Sequence, residues 1–393
     1  MTTAVSRTQF VNRPAAEMLT RDDIWKTFVD PAGIAGFWAK EYLRGLVAAG
    51  AGKVKLVRGR PGAGKTHLLR YFGLRAQDDG YVVCRIDART ARLAAVDDLY
   101  RAVSQALDWD DLLDRCASSV IRDGLGFPDF SGSPHDFRAW AEAAGRSPVS
   151  LMADIRAASD RLVRGMDISK WLREPIRASI VRRMGAELVE EETLLRWLRG
   201  ERLIKHERNA ISVAGSVDRR NAREMLRSLA VLARAAGRGG LLVLIDNAEV
   251  LAGTARRDGV QYYTRNSRDQ AYEMIRELID ESHLAPHLFM MVFAEANLFD
   301  NPKTGLPSYP ALWHRVQPEI VTAQVNRFAD VVDLDTLWRN EDLGRLRTVW
   351  SESFAGVTLI EETSDESGAA PELDWSNTRR AVRSALAAAH GGM

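Results

Sequence analysis

Between residues 35 and 107 the apolar positions switch between two rhythms. AGFWAKEYLRGLVAAG (35–50) repeats them at helical spacing and ends in glycine, and KVKLVRG (53–59) is a run of strand length. KTHLLRYFGLRAQDDG (65–80) returns to helical spacing and closes on Gly80. A strand YVVCRID (81–87) and a helix VDDLYRAVSQAL (96–107) follow. Such alternation predicts an α/β fold with a parallel sheet. It stops at residue 108: residues 108–221 carry helix-like segments, interrupted by the loop GLGFPDFSGSPHD (124–136), and read as a helical insertion. It resumes with a helix over 221–237, the strand LLVLID (241–246), a helix over 267–282 and the strands HLFMMVFAEA (287–296) and DVVDLD (330–335). A helix over 340–353, an acidic linker IEETSDESGAAPE and a last helix SNTRRAVRSALAAAH complete the pattern. The expected division is an N-terminal arm and helix (1–52), a core (53–107 and 222–335), the insertion (108–221) and a C-terminal lid (336–393).

Composition narrows the class. Of 393 residues, 46% are hydrophobic and 27% charged, which suits a globular protein with a large core. Lys and Arg number 54 against 53 Asp and Glu, so net charge neither demands nor excludes nucleic acid. No apolar run approaches the ~20 residues of a membrane span, and the first residues lack the apolar centre of a signal peptide. The expectation is a cytoplasmic protein without membrane contact. Cys84 and Cys116 have no metal-site spacing and are expected to be reduced and buried.

The candidate chemistry begins at Gly59-Arg60-Pro61-Gly62-Ala63-Gly64-Lys65-Thr66, which fits G-x-x-x-x-G-K-[ST] between a strand and a helix, with His67 next in line. Glycines let the backbone turn its N–H groups toward phosphate oxygens, Lys65 supplies a point charge, and the helix adds its positive end. Thr66 is expected to hold magnesium together with Asp246, which ends a buried strand. The implied cofactors are ATP and Mg2+, and the fold class is a P-loop NTPase. Asn247 stands where many such enzymes place a glutamate, and an amide cannot take a proton from water, so hydrolysis is expected to be slow. Glu249, two residues on, is the rival base. Asn297, with Glu295 beside it, is the candidate for orienting the attacking water. Arg315, on a short helix within GLPSYPALWHRVQP (305–318), is a candidate for reaching a neighbouring subunit's nucleotide, or a solvated surface group. Arg379 and Arg380 on the last helix are candidate lid contacts.

The stretches VRGRPGAGKTHLLRYF, LLRWLRGE, REMLRSLAVLARAAGRGGLLVLIDNAE, MMVFAEANLFDNPKTGLPSYPALWHRV and TRRAVR, in this order, resemble the P-loop ATP-binding proteins of BREX-type and related bacterial phage-defence systems. That family is of the AAA+ class, near the origin-recognition initiators. The resemblance implies ATP binding at Gly62, Gly64, Lys65, Thr66 and Asp246, a trans-acting Arg315, and partners in a homo-oligomer or a defence complex. The family's Asp-Glu pair is Asp246-Asn247 here, and too few residues follow the last strand for a lid and a winged helix. DNA contact would therefore fall to a partner or to the insertion, whose arginines (Arg161, Arg164, Arg173, Arg177, Arg182, Arg183, Arg196 and Arg199) make either a solvated face or a binding surface. Trp140, Trp171 and Trp197 are expected as core anchors of the insertion.

Overall fold

The computed structural model describes residues 19–186, 190–320 and 326–353. The linker and last helix expected beyond these, with Arg379 and Arg380, lie outside the described residues. Among those described, one sheet is built from β1 (Lys53–Gly59), β2 (Val82–Asp87), β3 (Leu241–Asp246), β4 (Leu288–Glu295) and β5 (Val331–Asp333). Its order is β2-β3-β4-β1-β5, and every pairing is parallel.

This order decides where the helices go. From β1 the chain crosses to the far edge at β2, then steps back through β3 and β4 and passes β1 to reach β5. Right-handed crossovers therefore send the first connection to one face of the sheet and the later ones to the other. The first connection is α3 (Lys65–Asp78). It packs with α1 (Arg21–Thr27) and with α2 (Ile34–Trp38), which runs on as a π-wound turn over Ala39–Val47. The period of two along a strand then sorts side chains between two cores. Val57, Leu242, Leu244, Met291 and Phe293 join the α2–α3 side. Leu56, Val243, Ile245, Met290 and Val292 join the larger core on the other side. Because both faces are covered, the strands read as nearly unbroken apolar runs.

The larger core is completed by α4 (Val96–Ala106), α11 (Ala222–Ala235), α12 (Arg265–Asp280) and α14 (Pro310–Ile320), and by the insertion. The insertion contributes α5 (Trp109–Ser119), α6 (Phe137–Ala143), α7 (Pro148–Gly165), α8 (Lys170–Arg183), α9 (Glu191–Leu198) and α10 (Lys205–Ala210). Its buried residues are continuous with those of the sheet, and the hydroxyls of Tyr100 and Ser104 on α4 donate to the Leu198 carbonyl at 2.7 and 2.6 Å. Trp197 is fully buried and donates to the Gly215 carbonyl at 2.7 Å, as expected of an anchor. Trp171 is partly buried against the same core. Trp140 departs from the expectation, with 41% of its surface exposed. The seven-residue α6 buries Phe137 and Ala141, one turn apart, and leaves position 140 on the rim of a cluster with Phe127 and Phe130.

The insertion's arginines are largely engaged. Arg177 pairs with Glu174, Arg182 with Glu191, and Arg196 with Glu201 and Glu207. Arg183, only 2% exposed, joins Asp110, Asp114 and Glu191. Across 108–221 nineteen Lys and Arg face nineteen Asp and Glu, so this segment is electrically neutral.

Element ends shift by a few residues from the sequence reading. In proportion to its length β5 changes most: it stops at Asp333 because that side chain accepts the Asp335 N–H and starts a 3-10 turn over Leu334–Thr336. Cys84 and Cys116 are free and buried. No helix among the described residues is long and apolar enough to cross a membrane.

Candidate nucleotide site

The connections after β1 and β4 leave toward opposite faces, which opens a crevice at the C-terminal ends of these neighbouring strands. The glycine loop fills its floor. Gly62 and Gly64 adopt φ of 89° and 91°, a left-handed backbone that a side chain resists. Gly59 meets a different constraint: a Cβ there would sit 3.1 Å from the Ala63 Cβ. Lys65 folds back along the loop and donates to the carbonyls of Gly59 (2.8 Å) and Arg60 (2.9 Å). Burial lowers its pKa, opposed by the charges of Glu295, Glu249, Asp246 and Asp335 around it. Pro61 is exposed at the tip of the turn.

Thr66 begins α3, and its hydroxyl donates to Asp246 Oδ2 at 2.8 Å, so the two residues chosen as magnesium ligands converge. Burial raises the Asp246 pKa, against the hydrogen bonds from Thr66 and from the Asn247 N–H. Among the described residues no group of three or more His, Cys, Asp or Glu could cage a metal. His67 lies under α1, stacked on Phe28 with centroids 5.6 Å apart, and burial holds its pKa down to about 4. A cavity of about 460 Å3 opens nearby, lined by Asp23, Lys26 and Thr27 and by Val349 and Glu352 of α15 (Asn340–Ser353).

The two rival acid positions face different ways. Asn247 has φ 58°, a conformation that asparagine tolerates better than most residues. Its side-chain amide donates to Asp87 Oδ1 at 3.0 Å, toward the β2 edge. Asp87 is itself gripped by Arg89. The left-handed turn then swings Glu249 back over β4, where its carboxylate accepts the Glu295 N–H at 3.2 Å and lies within the field of Lys65. Burial, with Glu295 adding to it, raises the Glu249 pKa.

Two candidates remain. β4 ends at Glu295, and Asn297 falls on the short helix α13 (Ala296–Asp300), exposed and bonded to Asn301 at 3.3 Å. Arg315 projects from α14 to Asp280 (3.2 Å) and Asp330 (3.1 Å). Asp330 also pairs with Lys53, the first residue of β1, so Arg315 sits at the N-terminal edge of the sheet. Six strand rises, about 20 Å, separate that edge from its own chain's loop. Sequence reasoning missed Asp87, although YVVCRID and LLVLID both end in Ile-Asp. It also missed Asp335 and Trp338, which touch the loop with no motif to mark them.

Sheet, loop, helix and strand-end carboxylate are compatible with a P-loop nucleotide-binding protein. Residues 44–363 match the family of BREX system ATP-binding proteins BrxC/D, and the chain belongs to that family. It is thus an ATP-binding member of a bacterial phage-defence system. No curated protein and no solved structure matches it significantly.

Proposed function

We propose that this protein is an AAA+-class ATPase in which the glycine loop, Lys65, Thr66 and Asp246 hold ATP with magnesium and Glu249 prepares the attacking water. One observation carries the assignment of the base: Glu249 faces Lys65 across the tip of β4, whereas Asn247 faces Asp87 on the other side of β3. A raised carboxylate pKa suits a general base working near neutral pH. On this reading turnover runs at an ordinary rate, because the Glu295 N–H occupies one oxygen of that carboxylate and leaves the other to take a proton; slow turnover would point back to Asn247. The nucleotide state would be coupled to assembly with other components of the defence system, and Arg315, remote from its own loop, would serve a neighbouring copy. A DNA-engaging role draws little support from the insertion, whose charges balance and many of whose arginines are paired.

The test is Glu249→Gln. It should lower kcat by about 10²–10⁴-fold, the usual worth of general-base help, with ATP affinity little changed. An unchanged kcat would reject Glu249. Undetectable turnover in wild type and variant alike, with ATP still bound, would instead favour a nucleotide-gated binding module.

A further inference from the structure

The segment that leaves β5 returns to the phosphate loop and bonds it twice. Asp335 Oδ2 accepts the Arg60 N–H at 2.9 Å, and the Trp338 indole N–H donates to the Ala63 carbonyl at 3.2 Å. The Trp338 ring also lies over the loop: a Cβ built on Gly64 would sit 3.6 Å from its Cζ2. Two residues later the same segment becomes α15, which packs on α1.

A trans peptide is planar, with its C=O and N–H pointing in opposite directions. Each contact therefore fixes two groups. The peptide between Gly59 and Arg60 gives its N–H to Asp335, and its carbonyl on the opposite side receives Lys65 Nζ at 2.8 Å. The peptide between Ala63 and Gly64 gives its carbonyl to Trp338, which turns the Gly64 N–H the other way, into the cradle. Gly59 borders the first of these planes and Gly64 the second, and glycine would otherwise leave them free to rotate.

We propose that Asp335 and Trp338 are positioning residues for nucleotide binding. They set two peptide planes of the phosphate loop, and through them occupancy of the loop is coupled to the placement of α15. Neither side chain need touch the nucleotide. Coupling between two sites is reciprocal, so a contact that tightens ATP binding is itself tightened by ATP.

Calorimetry with Mg–ATP on the full chain tests this, alongside the thermal midpoint of each unliganded variant. Trp338→Phe keeps the ring and loses the donor, and should weaken ATP by roughly 2–10-fold, the worth of one neutral hydrogen bond. Asp335→Ala should weaken it by about 10-fold or more, since the acceptor is charged. Asp335→Asn should fall between wild type and Asp335→Ala, because an amide oxygen still accepts the Arg60 N–H but carries no charge. Each variant also loses a bond of the unliganded chain, so its midpoint should fall by a few degrees, and the affinity loss should persist well below that midpoint. Amides of α15 should exchange more slowly when wild type is saturated with ATP, and less so in Trp338→Phe. Wild-type affinity in both Trp338→Phe and Asp335→Ala would overturn the inference, as would α15 exchange that ATP leaves unchanged in wild type. Wild type that fails to bind ATP would be a different failure, that of the loop as the nucleotide site.

Discussion

Asn247 can be read twice, as a glutamate lost or as a turn residue kept. Its left-handed backbone and its bond to Asp87 favour the second reading. Asn247→Glu would set a second carboxylate against Asp87 and strain the turn, so it should leave turnover no higher than wild type and cost about 1 kcal/mol of stability. Asn247→Gly, which adopts the turn freely, should keep turnover within a few-fold. Steady-state rates and denaturant midpoints check both; a large gain from Asn247→Glu would restore the lost-glutamate reading. The pH dependence follows from Glu249. A base works only when ionised, and burial raises this group's pKa. If Glu249 is the base, the acid limb of kcat/KM should lie above the range of an ordinary glutamate, near 4.3, and Glu249→Gln should remove its share, leaving that of Asp246, whose pKa burial also raises. His67, held down to about 4, stays neutral across that limb and adds nothing to it.

Helices of the insertion are joined to one another and to the sheet by buried contacts, and Arg183 shows how. Its side chain ties Asp110 and Asp114 on α5 to Glu191 on α9. Arg183→Ala leaves those acids unpaired. Removing one member of a buried pair costs about 3–5 kcal/mol, and since these partners are 30–67% exposed the loss should fall toward ~2 kcal/mol, seen as a lower urea midpoint. Elements of this kind were legible in the sequence for identifiable reasons. A strand buried on both faces gives an apolar run such as LLVLID, and glycine marks helix ends at Gly80 and Gly237. The loop was legible because its residues lie together in the sequence: Gly62, Gly64 and Lys65 fall within four positions, and the fold brings Thr66 to Asp246. What stayed hidden depends on long-range proximity. Apolar spacing tells that the insertion is buried, but not that it shares one core with the sheet. Nothing in DTLW says that Trp338 will lie on a loop laid down at residue 63. Nor does a strand end reveal that a left-handed residue will turn Glu249 toward Lys65 and Asn247 away.

Across the molecule, charge forms a chain along the N-terminal edge of the sheet: Glu273, Arg276, Asp280, Arg315, Asp330 and Lys53 are linked in succession. Arg315 is therefore held within its own subunit, half exposed, and far from its own nucleotide site. If it serves a neighbour, Arg315→Ala should slow hydrolysis by as much as ~10³-fold, and mixing it with Lys65→Ala should restore part of the activity. Hydrolysis untouched by Arg315→Ala would reject that role. The strand order has a further consequence, in time. β1 lies between β4 and β5, which begin at Leu288 and Val331. At ~5–20 residues per second a ribosome needs roughly 12–50 s to travel from β1 to β4. Through that interval β1 has no neighbour on either edge and the phosphate loop has neither Asp335 nor Trp338 to shape it. A polypeptide stalled or cut before Asp335 should thus bind ATP more weakly than the longer chain, by the losses expected for Asp335→Ala and Trp338→Phe together.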